Sequence, residues 1–336
     1  MGWFSRYVGV AACLVRLVCE PAQGHGDSTT TPAHQSLDDA WWTGPLLAST
    51  ASTLPQGHVY VEPYLFDSIP YAHFDSNGHA HAVAHQNDFG SLSYVNYGLT
   101  DRITIGMIPH FGYDWVGDGG SSAGVGVGDL TLQGQYRLTQ FHPGHWLPTL
   151  SLNFQETLPT GRFDRLQRTT DGFGAGAYTT TLSIYSQTYL WMPNGRILRA
   201  RLNLSYAFAD RRVGLEDVST YGTPEGFRGY AKPGDSAYGV LAFEYSITRN
   251  WVAAFDFWYE HDGNTRVFAT DPQSAGELSL PRLAMQSGSG REQIVAPALE
   301  YNWSARLGII FGARVIVAGR NVTATATPVA AFSYFF

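Results

Sequence analysis

The chain ends on Val329-Ala330-Ala331-Phe332-Ser333-Tyr334-Phe335-Phe336, an alternating stretch that closes on an aromatic residue. In a β-strand, side chains point to opposite faces at every second residue, so Phe332, Tyr334 and Phe336 share one face. An aromatic stripe of this kind is typical of a strand whose outer face meets lipid. An edge strand of a soluble sandwich would also alternate, so the rest of the chain has to decide between the two.

The beginning of the chain has the pattern of a secretory signal peptide. Residues 1–6 carry one positive charge, residues 7–19 are mostly apolar, and Ala22-Gln23-Gly24 offers small residues for cleavage. The only two cysteines, Cys13 and Cys19, fall in the part that cleavage would remove. A mature chain without thiols suits passage through an oxidising periplasm.

Composition narrows the class of protein. Charged residues make up 15% of the chain, below the usual quarter, while aromatic residues make up 14%. Few charges with many aromatic rings fit girdles at two membrane interfaces. No stretch is long and apolar enough to predict a helical membrane span. The net charge of -7 disfavours nucleic-acid binding, which needs a basic patch.

The middle of the chain alternates between apolar and polar residues in many short segments. In the clearest one, Leu202, Leu204 and Tyr206 alternate with Arg201, Asn203 and Ser205. One apolar and one polar face per strand predict an all-β fold, a transmembrane antiparallel up-and-down β-barrel with a cleaved signal peptide. Counting segments gives about 12 strands. An even number would leave both chain ends on the periplasmic side.

The connections between these segments alternate in length. We predict short turns near residues 100–101, 139–148, 193–195, 249–250 and 302–305, and long polar segments at 67–86, 112–124, 159–173, 210–235 and 262–291. Short turns on one side and long loops on the other are the outer-membrane barrel layout. We therefore divide the chain into a signal peptide (1–24), a flexible periplasmic N-terminal segment (25–56) and an outer-membrane β-barrel (57–336).

Charged residues also lie on the polar face of several strands. We predict that they line the lumen: Arg199, Arg201, Glu244, Asp256, Glu260, Glu300 and Arg314. Opposite charges on neighbouring strands can pair along the wall. Such a network could stiffen and plug a narrow barrel, or it could line a polar path for a solute. The residue pattern is equally compatible with both roles.

Histidines crowd the first long polar segment, at His73, His79, His81 and His85. The spacing of His79 and His81 can present two imidazoles to a metal, but no cysteine or carboxylate cluster completes a site. We therefore interpret the segment as a hydrated loop, and the sequence predicts no metal, no cofactor and no catalytic residue. An enzyme of the rim-hydrolase kind would need a serine beside a histidine at the membrane edge, and none can be placed.

Several stretches resemble the outer-membrane transporter-like family associated with meta-pathway phenol degradation. They are Thr43-Gly44-Pro45-Leu46, residues 53–64 (Thr53-Leu54-Pro55-Gln56-Gly57-His58 leading to Val61-Glu62-Pro63-Tyr64), Gly126-Val127-Gly128-Asp129-Leu130 and Glu156-Thr157-Leu158-Pro159-Thr160-Gly161. The resemblance implies an outer-membrane barrel with a role in the uptake of small, often aromatic, compounds. It supplies no catalytic residues.

From these observations we expect a barrel in the outer membrane of a Gram-negative bacterium that allows small, aromatic or hydrophobic solutes to pass. Its expected partners are outer-membrane lipid, the solute and the barrel-assembly machinery. Phe332, Tyr334 and Phe336 look like the terminal signal that this machinery recognises. The alternatives are a non-conducting structural or adhesive barrel and, further away, a lipid hydrolase at the rim.

Overall fold

The structure, a computed structural model, describes residues 34–117, 120–209, 212–270 and 282–336. Their regular secondary structure is almost entirely β-strand, with two single-turn 3-10 helices at Leu37–Asp39 and Thr169–Asp171. The strands are β1 Val59–Phe74, β2 Ala80–His81, β3 Gln86–Thr100, β4 Ile103–Ile108, β5 His110–Val116, β6 Gly126–Val127, β7 Leu130–Thr139, β8 Thr149–Leu158, β9 Thr179–Trp191, β10 Ile197–Ala209, β11 Val213–Glu216, β12 Arg228–Lys232, β13 Ser236–Ser246, β14 Trp251–Asp262, β15 Arg266–Ala269, β16 Arg282–Gln286, β17 Gly290–Ser304, β18 Leu307–Arg320 and β19 Val322–Phe335. None of the helices described is long and apolar enough to cross a membrane.

Most of these strands form one closed antiparallel barrel. The wall runs from β1 through β3, β4, β7, β8, β9, β10, β13, β14, β17 and β18 to β19, which pairs again with β1. Two of the wall strands are interrupted: β4 and β5 both pair with β3 across the break at Pro109, and β6 continues the line of β7. The barrel therefore has twelve wall strands, and the predicted architecture is confirmed.

The two faces of the wall differ as the alternation predicted. On β10, Leu202, Leu204 and Tyr206 point outward and are 45–52% exposed, whereas Arg201 and Asn203 point inward and are buried. A closed barrel satisfies every backbone group within the sheet, which is what a strand needs in order to cross a bilayer. The closed wall with its apolar outer face is a transmembrane barrel of the outer-membrane type.

The barrel has a short-turn end and a long-loop end. Both ends of the barrel chain, at Val59 and Phe335, lie at the short-turn end. At the long-loop end, the segments predicted as loops at 210–235 and 262–291 instead contain strands. There β11, β12, β15 and β16 form a separate four-stranded antiparallel sheet, here called the outer sheet. The last connection is a tight turn at Asn321, whose φ of 48° is left-handed.

Candidate functional site in the lumen

Residues 43–54, here called the lumen segment, run inside the barrel near its short-turn end. The hydroxyl of Thr53 donates to the carbonyl of Asp101 in the β3–β4 turn at 2.7 Å, and the N–H of Leu54 donates to Thr104 Oγ1 at 2.8 Å. The sequence predicted a flexible periplasmic segment over residues 25–56. Residues 25–33, like the predicted signal peptide, lie outside the described residues, so the predicted division stays a prediction. In the structure, the lumen segment lies inside the barrel, against the inner face of the wall strands.

Two buried carboxylates hold the beginning of the lumen segment by its backbone. Glu300 Oε2, on β17, accepts the N–H groups of Thr43 and Gly44 at 2.6 and 3.2 Å. The two oxygens of Asp256, on β14, accept the N–H groups of Leu46 and Ala48 at 3.0 and 3.1 Å. Asp256 and Glu300 have no exposed surface. Hydrogen bonds from N–H groups to a charged acceptor are among the stronger ones in proteins, so these two residues anchor the segment.

Side chains on other strands bind the carbonyl groups of the same segment. Arg201 Nη1 donates to the carbonyl of Ala48 at 2.9 Å, and Asn203 Nδ2 donates to the carbonyl of Ser49 at 3.1 Å. On β8, the hydroxyl of Ser151 donates to the carbonyl of Ala51. The wall thus supplies donors and acceptors to the backbone of a segment that belongs to no strand.

The two predicted arginines of β10 share one carboxylate on β13. Arg199 Nε donates to Glu244 Oε2 at 2.7 Å, and Arg201 Nε lies 3.0 Å from the same oxygen. Arg199 and Glu244 face each other directly in the β10–β13 register. The guanidinium of Arg199 also lies 4.5 Å from the ring of Trp42, just before the lumen segment. The cluster therefore joins the wall to the residue that leads into the segment.

A cavity of about 340 Å³ lies between the lumen segment and the opposite part of the wall. Its lining combines aromatic rings with amide and charged groups, among them Trp42, Tyr60, Glu62, Tyr64, Tyr94, Asn96, Gln133, Gln135, Tyr185, Arg199 and Arg201. Tyr64 and Tyr94 pack edge to face, with their ring centres 5.9 Å apart. A dry apolar cavity of about 150 Å³ can hold benzene. This one is large enough for a solute of one or two rings.

The remaining predicted lumen residues, Glu260 and Arg314, lie on the inner, polar face of the wall but away from the lumen segment. Glu260 accepts a hydrogen bond from Trp258 Nε1 at 3.0 Å, and Trp258 stacks on Tyr238 with centres 4.5 Å apart. The guanidinium of Arg314 lies 5.1 Å from the ring of Phe66. Of the seven predicted charges, the structure thus brings five to the short-turn end, while these two face the lumen elsewhere.

The three terminal aromatic side chains point out of the barrel. Phe332, Tyr334 and Phe336 are 43%, 38% and 59% exposed, and Tyr334 packs edge to face against Phe336. Between them, Ser333 points inward and is buried. Their placement on the lipid face agrees with the alternation, whereas their predicted role as an assembly signal stays a prediction.

The histidine-rich segment forms a turn around one carboxylate at the long-loop end. His81 Nε2 and His79 Nδ1 lie 3.0 and 3.6 Å from Asp75 Oδ2, and the N–H groups of Asn77 and His79 donate to Asp75 Oδ1. The hydrogen bond with His81 and these backbone donors hold the pKa of Asp75 well below its ordinary value. Among the described residues, no group of three or more potential ligands is arranged for a metal ion.

Comparison with known proteins identifies the fold. No family model and no curated protein matches the chain. Among solved structures, an outer membrane channel from Pseudomonas putida F1 superposes with a TM-score of 0.63 at 15% identity, covering 86% of this chain and 98% of that one. A deletion mutant of the monoaromatic hydrocarbon channel TodX (TM-score 0.43, 12% identity, 92% and 99% covered) and the NanC porin (0.41, 9%, 80% and 98%) are more distant.

Proposed function

We propose that the chain is an outer-membrane channel for small aromatic or hydrophobic solutes, and that the lumen segment closes its short-turn end. The observation that carries this proposal is the cavity between the lumen segment and the wall. Aromatic rings of the wall line one side of this cavity, and the lumen segment forms the other side. Hydrogen bonds rather than strand pairing hold the segment, so it can move without the wall. Displacing the segment would open the lumen without breaking the sheet.

The aromatic rings and the polar groups in the cavity support the solute class. Rings attract other rings in offset or edge-to-face contacts, and a few polar groups among them would orient a hydroxyl-bearing ring such as phenol. Tyr113, Trp115, Trp258 and Tyr259 are further candidates for stacking on such a solute. Of these, Trp115 and Tyr259 are exposed on the outer face, where they suit an interfacial girdle. The association with phenol degradation by the meta pathway is part of this proposal.

The charged cluster has a structural role in the proposed channel. Asp256, Glu300 and Arg201 bind the backbone of the lumen segment, and Glu244 keeps Arg199 and Arg201 in place. Of the two roles that the sequence left open, these contacts favour a network that plugs the barrel. Membrane insertion with the help of the assembly machinery, through the terminal aromatic residues, belongs to the same proposal.

A reversible cross-link tests whether the lumen segment is a plug. The hydroxyl oxygens of Thr43 and Ser333 lie 3.4 Å apart, so a Thr43→Cys/Ser333→Cys pair can form a disulfide with little adjustment. The mature chain is predicted to have no other cysteine. In planar bilayers we expect the oxidised double variant to lose its openings and a reductant to restore them. Thr43→Cys alone is the matched control and should not respond.

A filled lumen would also suit the alternative, a non-conducting structural barrel. The two functions differ in the native chain, because removing residues 34–54 would empty the lumen of either kind of barrel. The channel opens in planar bilayers with the segment in place, and deleting its gene lowers the uptake of labelled phenol at micromolar concentration. Absence of openings in the native chain, with unchanged uptake when the gene is deleted, would reject the channel.

A further inference from the structure

The outer sheet has one covered face and one open face. Val213, Leu215, Ala231 and Val267 are buried on its covered face, together with Ala177, which precedes β9. The covering loop, residues 159–178, also reaches the barrel mouth, because the ring of Phe173 fills the space beside Gly112 and Gly126. Because the covered face packs on a loop at the long-loop end of the barrel, the open face of the outer sheet points away from the barrel axis.

The open face carries two stacked rings with cations around them; Tyr230 is buried beneath its neighbours and Phe268 is half-buried, so the cations form the accessible surface. Tyr230 and Phe268 stack with centres 5.1 Å apart and an interplanar angle of 19°. The guanidinium of Arg212 lies 3.8 Å from the centre of the Tyr230 ring, and Lys232 Nζ lies 5.2 Å from that of Phe268. The strand alternation adds Arg228, next to Tyr230 on β12, and Arg266, next to Phe268 on β15. All four cations are exposed.

The charges on this face do not balance. Lys232 and Arg266 stand directly opposite each other on neighbouring strands, and like charges in that position are destabilising. Among the described residues of the four strands, Glu216 is the one carboxylate on this face, and its Oε2 lies 2.7 Å from Arg165 Nη2. The described residues of the four strands therefore leave an excess of positive charge on this face.

We propose that the open face of the outer sheet binds the phosphate groups of the anionic glycolipid in the outer leaflet. The proposal rests on the barrel standing in an outer membrane with its long-loop end outward. In that orientation the face stands above the lipid-facing wall of β10, β13, β14 and β17, to which three-residue links join its strands. Arginine and lysine bind phosphate through short charge-assisted hydrogen bonds, and the exposed side chain of Leu283 adds apolar contact.

Binding to purified lipopolysaccharide tests this surface. The folded protein in detergent is titrated with lipopolysaccharide, and the bound fraction is followed by native mass spectrometry. For Lys232→Gln/Arg266→Gln we expect about tenfold weaker binding, because each cation near a lipid phosphate contributes favourably. The matched control is Arg102→Gln/Arg306→Gln, which removes two exposed cations at the short-turn end and should bind like the native protein.

Two further arms identify the ligand. Dephosphorylated lipopolysaccharide should bind the native protein as weakly as the intact lipid binds the double variant, and millimolar inorganic phosphate should not compete. Equal binding by the double variant, or by the dephosphorylated lipid, would overturn the proposal. If the double variant does not fold, Arg228→Gln replaces it, with an effect of a few-fold. Conductance is recorded on the same samples, so a failure of the proposed channel would be seen separately.

Discussion

At the scale of single residues, the lumen depends on one carboxylate that serves two arginines. Glu244 is fully buried, and the side chains of Arg199 and Arg201 are 8% and 5% exposed. Glu244→Gln would remove the one carboxylate that both buried guanidinium groups contact in an ion pair, and breaking a buried ion pair costs about 3–5 kcal/mol. We expect a clearly lower unfolding temperature, measured by heat-dependent mobility of the detergent-solubilised barrel.

The matched control breaks an exposed ion pair instead. Arg165 and Glu216 are 66% and 45% exposed at the long-loop end, where such a pair contributes about 0–1 kcal/mol. Arg165→Gln should therefore leave the unfolding temperature almost unchanged. Equal effects of the two substitutions would mean that water reaches the cluster of Arg199, Arg201 and Glu244, and that burial does not strengthen its ion pairs.

The turn around Asp75 is a second residue-scale feature, and it should depend on pH. The pKa of Asp75 is depressed in the folded state, so its hydrogen bonds stabilise the turn above the ordinary carboxylate pKa of about 3.8. This stabilisation is lost as the pH falls below that value. Amide exchange of Asn77 and His79 in micelles, measured by NMR between pH 7 and pH 2, should show protection that declines only below about pH 4. The Asp75→Asn variant should show weak protection throughout, whereas a native chain that loses its protection already between pH 7 and pH 5 would contradict the role of the Asp75 carboxylate.

At the scale of elements, the lumen segment should respond to its anchors one by one. Asp256 accepts two of its N–H groups, and each hydrogen bond to a carboxylate is worth about 1.5–3 kcal/mol. For Asp256→Ala we expect more frequent and longer openings in planar bilayers. Glu260→Gln is the control, because Glu260 lies on the same face of β14 and binds Trp258 instead of the segment. Identical single-channel records would show that the anchor does not limit opening.

The sequence predicted the wall elements far better than the elements beside the wall. On β10, Leu202 and Leu204 alternate with Arg201 and Asn203, and a repeat of two residues is typical of a strand with one apolar and one polar face. The structure has a strand there with those two faces. The lumen segment has no such period, because its backbone is bound by side chains from distant strands. Contacts such as that between Thr43 and Glu300 join residues 257 positions apart, which no local pattern reports.

The outer sheet was missed for a different physical reason. Its strands are four or five residues long, and polar turns separate them, so they were interpreted as loops. The exposed Arg228 and Lys232 do alternate with the buried Ala231 on β12, but Tyr230 is buried as well, and a window of this length also fits a polar loop. Within the lumen, five of the predicted charges lie near the lumen segment, but no local pattern in the sequence predicts that three of them bind its backbone groups.

At the scale of the whole molecule, closure depends on the last strand meeting the first. β19 pairs with β1 along nearly its whole length, from Phe335 opposite Tyr60 to Val322 opposite Phe74. Closure removes both free edges of a twelve-stranded sheet, and free edges are the sites at which sheets aggregate. Because β19 completes the wall, a defect in this strand affects the entire barrel.

The terminal aromatic residues allow the assembly role to be separated from simple membrane anchoring. Phe332→Ser/Tyr334→Ser should lower the amount of heat-modifiable barrel in the outer-membrane fraction several-fold, if these rings carry the assembly signal. The control is Trp303→Ser on β17, an outward aromatic residue that is 50% exposed near the same short-turn end. Girdle anchoring would make all three rings comparable in effect, since each buries a similar surface in the interface. A loss confined to the β19 variant would therefore assign recognition to the last strand, whereas losses in proportion to the number of rings removed would leave it only an anchoring role.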